Sequence, residues 1–193
     1  LRSLRNKLHE KLSTLPDLSF YPESFLLENA LENPVDFGKK HQEEIKELIA
    51  IANLNLLSFG EAQDKIKQAL DDDNPWKRYW GLIACSSFGE EANSFTPQIQ
   101  NLLNKDRENL VRLRALEYLM LNQKPFSSNI PEELLRNSKS ETEANLILNS
   151  FALIKSLNPD FELNLTKDIF PIEWYDEPND LVNRRIDYLK DNL

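Results

Sequence analysis

An aromatic and basic cluster is the part of this sequence with the clearest binding chemistry. Trp76, Arg78 and Trp80 lie within five consecutive residues, Trp76-Lys77-Arg78-Tyr79-Trp80. Indole rings stack on sugars and bases, and a guanidinium group binds anions, so these three residues are candidates for surface recognition. Helical spacing places both tryptophans on one side of a helix. The alternative is therefore that at least one of them belongs to the hydrophobic core.

Two arginines stand in the same relation to an aspartate. Arg78 follows Asp72 by six positions, and Arg112 follows Asp106 by the same step. On a concave face the two guanidinium groups would capture an anion. The alternative is structural, because arginine and aspartate form bidentate pairs that would tie one helix-helix turn to the next. We expect the structural role.

Other residues of catalytic or metal-binding type are not arranged for chemistry. The run Asp71–Asn74 lacks the glycine and the downstream glutamate of a common calcium loop, and it predicts a turn in which Asn74 caps the next helix. Cys85 lies in an apolar stretch without a nearby histidine or cationic cluster, so we expect an unreactive thiol. His9 and His41 lie far apart in the sequence, and neither has a second metal ligand four residues away. We predict no catalytic residue, metal or cofactor in this chain.

The elements that position these residues are predicted to be helices. The chain has only four glycines and is rich in unbranched side chains that favour helix, so we expect an all-α fold. Residues 58–82 and 87–116 read as one unit written twice, and Arg78 and Arg112 are about 34 positions apart, within the range of helical-pair repeats. A helix pair cannot bury its apolar face alone. The pairs are therefore expected to stack as a solenoid, an α-α superhelix.

The predicted helices divide the chain into three parts. In residues 1–57, a helix ends at Leu15, an extended connector covers 18–24, a short helix begins at Pro22 or Glu23, and one longer helix follows Asn33-Pro34. In residues 58–157, helices 61–70, 75–87, 91–104 and 108–121 form two pairs, and 131–136 with 141–157 form a degenerate capping pair. In residues 158–193, an aromatic segment crosses the helical surface and a last helix covers 180–189.

Charge and hydropathy exclude two classes of partner. The 23 basic residues are outnumbered by 32 acidic ones, giving a net charge of −9, which would repel a nucleic acid. No apolar run has the length of about 18 residues that a membrane span needs. Leu1 already falls in a helical pattern, Leu4, Leu8, Leu12 and Leu15, and we expect the chain to continue from a longer protein.

Two segments carry a family resemblance. The repeat copies, with Pro75-Trp76-Lys77-Arg78-Tyr79-Trp80-Gly81-Leu82 and Leu110-Val111-Arg112-Leu113-Arg114-Ala115-Leu116, resemble HEAT repeats of the kind found at the C-terminus of some bacterial sulfatases. The stretch from Leu4 to Leu12, followed by Leu15-Pro16-Asp17-Leu18-Ser19-Phe20-Tyr21-Pro22-Glu23-Ser24, is similar to the closing helix and exit segment of a heparan N-sulfatase-like catalytic domain.

The resemblance implies a function that lies outside this chain. Sulfatases act through a formylglycine made from a Cys/Ser-x-Pro-x-Arg motif and through a bound calcium, and Cys85-Ser86-Ser87-Phe88-Gly89 departs from that motif at the proline and the arginine. No catalytic residue transfers to this chain. It resembles a non-catalytic HEAT-like accessory domain whose partners are the missing catalytic domain and a sulfated carbohydrate, in a periplasmic or secreted enzyme.

Two rival hypotheses belong to other functional classes. A HEAT-like scaffold would bind a protein partner on its concave face. A HEAT-like nucleic-acid repair enzyme would use Trp76, Trp80 and Arg78 in its cleft, but the acidic charge balance argues against DNA as a substrate.

Overall fold

The structure, a computed structural model, describes residues 4, 7, 8, 11, 14–158, 161–163, 165, 169–171, 174 and 181–191. Within these residues the regular elements are helices and no β-strand occurs, so the all-α prediction is confirmed. The chain forms two compact units, Leu1–Ala92 and Asn93–Leu193. The three parts predicted from the sequence stay predictions.

The first unit consists of short helices before the first repeat and of the two helices of that repeat. Its α-helices are α1 (Glu23–Asn29), α2 (Pro34–Lys40), α3 (Gln42–Ala52), α4 (Phe59–Leu70) and α5 (Pro75–Phe88). A 3-10 segment, Leu18–Phe20, precedes α1, and a second one, Asn53–Leu56, connects α3 to α4. Leu4, Lys7, Leu8, Lys11 and Thr14 also have helical backbone.

The structure differs from the sequence prediction in two places before residue 57. The single longer helix expected after Pro34 is two helices, because His41 leaves the helical region with φ −102° and ψ 15°. The extended connector expected over 18–24 begins instead with a 3-10 turn, in which the Asp17 carboxylate accepts the Ser19 amide hydrogen at 3.0 Å. Both differences lie at helix ends, where local backbone and capping interactions decide the conformation, and apolar periodicity does not predict such ends.

The core of the first unit is an aromatic and aliphatic cluster between α1, α2, α3 and the start of α5. Its buried members are Tyr21, Ala30, Phe37, Ile45, Leu48, Ile49 and Trp76. From the predicted apolar stripe of α3, Ile45, Leu48 and Ile49 are at most 1% exposed, whereas Leu56 is 46% exposed. Close approach of α4 and α5 depends on Gly81, since a Cβ there would lie 3.1 Å from the Cβ of Ala69.

The second unit is built around one central helix. Its helices are α6 (Thr96–Lys105), α7 (Asn109–Leu121), α8 (Ile130–Arg136), α9 (Glu141–Leu157) and α10 (Leu181–Asp191). Helix α7 contacts α6, α8 and α9, and α9 also packs against α10. The predicted helix 91–104 is wrong in its first part, because Gly89–Phe95 is a 3-10 segment and α6 begins only at Thr96, next to Pro97.

The aromatic segment after α9 packs on the second unit where the structure describes it. Phe161 is 8% exposed, and its ring centroid lies 5.7 Å from that of Phe151 in α9. The Lys155 ammonium group donates a hydrogen bond of 2.9 Å to the Phe161 carbonyl oxygen. This part of the segment therefore belongs to the packed surface of α9. Tyr175, the predicted end of the segment, lies outside the described residues.

Candidate functional site

Trp76, the first residue proposed for recognition, is part of the core. It is 5% exposed, and its ring centroid lies 4.8 Å from that of Phe25 and 6.2 Å from that of Tyr79. The Asn74 side chain caps α5 by accepting the Trp76 amide hydrogen at 2.8 Å, which agrees with the predicted turn. Burial leaves the Trp76 ring without a free face for a sugar. The burial of Trp76 agrees with the interpretation that at least one of the two tryptophans is a core residue.

Trp80 is only partly buried, and its polar edge is already used. The indole Nε1 donates a hydrogen bond of 2.8 Å to the Phe20 carbonyl oxygen. The Phe20 and Tyr79 ring centroids lie 5.4 and 6.0 Å from that of Trp80. The side chain thus ties α5 to the 3-10 turn at the start of the unit. Any recognition by Trp80 would use its remaining exposed surface.

Arg78 bonds to the turn between α4 and α5. Its Nη1 donates to the carbonyl oxygens of Asp72 at 2.7 Å and of Asp73 at 2.9 Å. The Asp72 carboxylate makes different contacts, since Oδ1 accepts the Asn74 amide hydrogen at 2.8 Å and Oδ2 pairs with Lys77 at 3.1 Å. The guanidinium group therefore binds main-chain oxygens of its own repeat.

Arg112 also bonds to a main-chain oxygen, in the second unit, but at a different position of the repeat. It is 9% exposed, and its Nε donates to the Leu103 carbonyl oxygen at 2.8 Å, in the last turn of α6. The last carbonyls of a helix have no partner within the helix, so this bond satisfies one of them. Nη2 also pairs with Glu133 of α8 at 2.7 Å. Arg112 thus links α6, α7 and α8.

The thiol and the described histidine are engaged in packing. Cys85 is fully buried, and burial raises the pKa of its thiol to about 12. His41 stacks on Phe37 with ring centroids 4.0 Å apart, and its Nδ1 lies 2.8 Å from the Phe37 carbonyl oxygen. His9 lies outside the described residues. In the described part of the chain, no three side chains of histidine, cysteine, aspartate or glutamate form a set of metal ligands.

A buried polar network in the second unit has no counterpart in the sequence prediction. Glu143 is 3% exposed, and its carboxylate accepts hydrogen bonds from Asn109 Nδ2 at 2.7 Å and from the Lys139 amide at 3.2 Å. Burial raises the pKa of Glu143, and the hydrogen bond from Asn109 opposes this shift. The Asn109 amide also donates to the Leu134 carbonyl oxygen at 2.9 Å. In the sequence, the only indication that Glu143 is buried is the set of apolar residues that follow it in α9.

A groove in the first unit was also not predicted. It has a volume of about 310 Å³. Four of its lining residues are apolar, Ala50, Ile51, Leu54 and Ala69. Its charged lining includes Lys77, which pairs with Glu47 at 2.8 Å and with Asp72 at 3.1 Å. The bond to Glu47, followed by that to Asp72, raises the pKa of Lys77 against the opposing effect of burial.

Comparison of this chain with family models, curated proteins and solved structures finds no match. Over the described residues, no helix combines the length and the apolar character needed to cross a bilayer.

Proposed function

We propose that this chain is a non-catalytic, HEAT-like α-α superhelical domain that supports the catalytic domain of a sulfatase. The observation that carries the proposal is the shared role of Arg78 and Arg112. Each arginine lies in the second helix of a pair and donates to main-chain oxygens at or after the end of the first helix. The acceptors differ, since Asp72 lies beyond the end of its helix and Leu103 lies in the last turn of its helix. Both bonds nevertheless fasten the second helix of a pair to the end of the first, which supports a repeat whose arginines serve architecture.

The contacts of the two segments that resemble sulfatases support the proposed parentage. Trp80, in the repeat segment, donates to the Phe20 carbonyl oxygen in the exit segment at 2.8 Å. Tyr21, in the exit segment, belongs to the same core cluster as Trp76. The exit segment and the first repeat copy are therefore joined in one packed unit, as expected if both come from one domain boundary.

In this proposal the chemistry belongs to the catalytic domain. That domain would supply the formylglycine and the calcium and would act on a sulfated carbohydrate in a periplasmic or secreted enzyme. The chain described here would contribute a rigid support, with the exposed part of Trp80 as a candidate contact to the carbohydrate. Trp76 and Arg78 would hold the packing around it.

Two measurements test the proposal. The purified 193-residue chain is assayed on aryl sulfates and on sulfated glycosaminoglycans, and we expect no sulfate release. Turnover by the pure chain would refute a non-catalytic role. In the genome, we expect a reading frame continuous with Leu1 that contains a Cys/Ser-x-Pro-x-Arg motif. Its absence would refute the sulfatase parent.

An interaction scaffold is the second candidate function. It is favoured by exposed apolar side chains on α1 and beside it, where Leu27 is 43%, Leu31 is 66% and Val35 is 65% exposed. Several exposed apolar side chains close together in the sequence are compatible with a protein interface. A full-length gene without the sulfatase motif would favour this scaffold over the accessory domain.

A further inference from the structure

The groove in the first unit lies between two antiparallel faces. Glu47, Ala50, Ile51 and Leu54 follow one another at helical spacing along α3 and the 3-10 segment after it. The opposite face also has helical spacing, and along α4 and just beyond its end it consists of Lys65, Gln68, Ala69 and Asp72. The two faces are antiparallel because only Leu57 and Ser58 separate the elements that carry them. The groove therefore has two distinct ends.

The two ends carry opposite charge. At one end, the Glu47 and Asp72 carboxylates share the single ammonium group of Lys77, which leaves one negative charge in excess. At the other end, Lys65 is exposed, and no hydrogen bond or ion pair engages its ammonium group within the described residues. Between the ends, the lining is mainly apolar. A ligand that fits this pattern has an apolar body and opposite charges at its ends.

The distance between the ends selects the length of the ligand. Lys65 and Asp72 are seven positions apart, which corresponds to about 10 Å along a helix at 1.5 Å per residue. An extended chain of three residues also spans about 10 Å at 3.3–3.6 Å per residue. We propose that the groove binds a short unblocked apolar peptide of about three residues, with its ammonium group at Glu47 and Asp72 and its carboxylate at Lys65.

The test compares one peptide with its blocked forms. Alanyl-leucyl-alanine, its N-acetyl form and its C-terminal amide are titrated into ¹⁵N-labelled chain, and binding is followed through amide shifts of residues 47–54 and 65–72. We expect the free peptide to bind and each block to weaken binding by up to about fivefold, the effect of one exposed ion pair. No shifts at about 10 mM peptide, a concentration that would populate a millimolar complex, would overturn the proposal. Equal binding of all three forms would also overturn it.

Matched variants locate the contact. Lys65→Gln should weaken binding of the free peptide and leave binding of the C-terminal amide unchanged. Lys67→Gln removes the same charge from the same helix at a position that does not line the groove, and it should bind like the unaltered chain. Ile51→Trp should fill the groove and abolish binding. If Lys65→Gln and Lys67→Gln weaken binding equally, the peptide is attracted by general charge and the proposed site is wrong.

Discussion

Replacing Arg112 by methionine tests whether the repeat arginine holds α6, α7 and α8 together. Methionine keeps an unbranched apolar stem and removes both polar contacts of the guanidinium group. The bond from Nε to the Leu103 carbonyl oxygen, 2.8 Å long, is lost inside the unit. The pair between Nη2 and Glu133, 2.7 Å long, is lost at its margin, where the Glu133 side chain is 40% exposed.

The two contacts contribute unequally. A buried carbonyl oxygen left without a donor costs about 1–3 kcal/mol. The pair with Glu133 contributes less, about 1 kcal/mol at most, because water can replace the lost partner of an exposed carboxylate. We therefore expect Arg112→Met to lower the free energy of unfolding by about 1–4 kcal/mol. For a chain of this size the midpoint of thermal unfolding should fall by about 2–16 °C.

The assay is urea denaturation followed by far-ultraviolet circular dichroism, with thermal unfolding as a second measure. Glu133→Gln is the matched variant, because it removes the ion pair and keeps the bond to Leu103, and it should cost about 1 kcal/mol or less. A loss below about 0.5 kcal/mol for Arg112→Met would refute the reasoning, since that is within the range of ordinary surface substitutions. Equal losses for the two variants would show that the main-chain bond contributes nothing.

Three other perturbations test the packing. Burial raises the pKa of Glu143 in the folded state, so the fold favours the protonated carboxyl group. The contribution of this group to the free energy of unfolding is therefore fully present below pH 4.5, the pKa in the unfolded chain, and is lost as the pH rises through the folded pKa. Urea denaturation at several pH values should therefore show that Glu143→Gln gains stability relative to the unaltered chain between pH 4.5 and neutrality, and a constant difference would contradict this. Cys85 should react with a thiol reagent at pH 8 only as fast as the chain unfolds, and rapid labelling of the native protein would contradict its burial. Trp80→Phe should lose about 1 kcal/mol in thermal unfolding, because the Phe20 carbonyl oxygen loses its donor, and an unchanged midpoint would show that water replaces the indole.

Local signals in the sequence were sufficient where a short motif determines the backbone. Asn74 before Pro75 predicts the start of α5, and the structure places the Asn74 side chain on the Trp76 amide. The helices of the degenerate third pair, Ile130–Arg136 and Glu141–Leu157, likewise follow from their apolar spacing. The break at His41 was missed because residues 38–44 carry no large apolar side chain, so the apolar periodicity gives no signal there. The start of α6 was missed because the 3-10 segment Gly89–Phe95 carries a similar pattern.

The candidate site shows why residue type alone does not assign a role. Trp76 and Trp80 are four positions apart and identical in chemistry, yet Trp76 is 5% exposed and Trp80 is only partly buried. Arg78 was expected to bond to the Asp72 side chain, and in the structure its Nη1 bonds to the main-chain oxygens of Asp72 and Asp73. Spacing brings the two residues together. Which atoms meet depends on the path of the turn.

By itself the sequence determined the helical class, most helix boundaries and the aspartate-to-arginine repeat, because these depend on neighbours within a few positions. Tertiary structure alone decided which polar groups are buried and which surfaces form a groove. Glu143 is buried because Asn109, 34 positions earlier, provides a donor at 2.7 Å. The groove exists because α3 and α4 align Glu47 with Asp72 through Lys77. Such pairings depend on distances between remote residues, which no local pattern encodes.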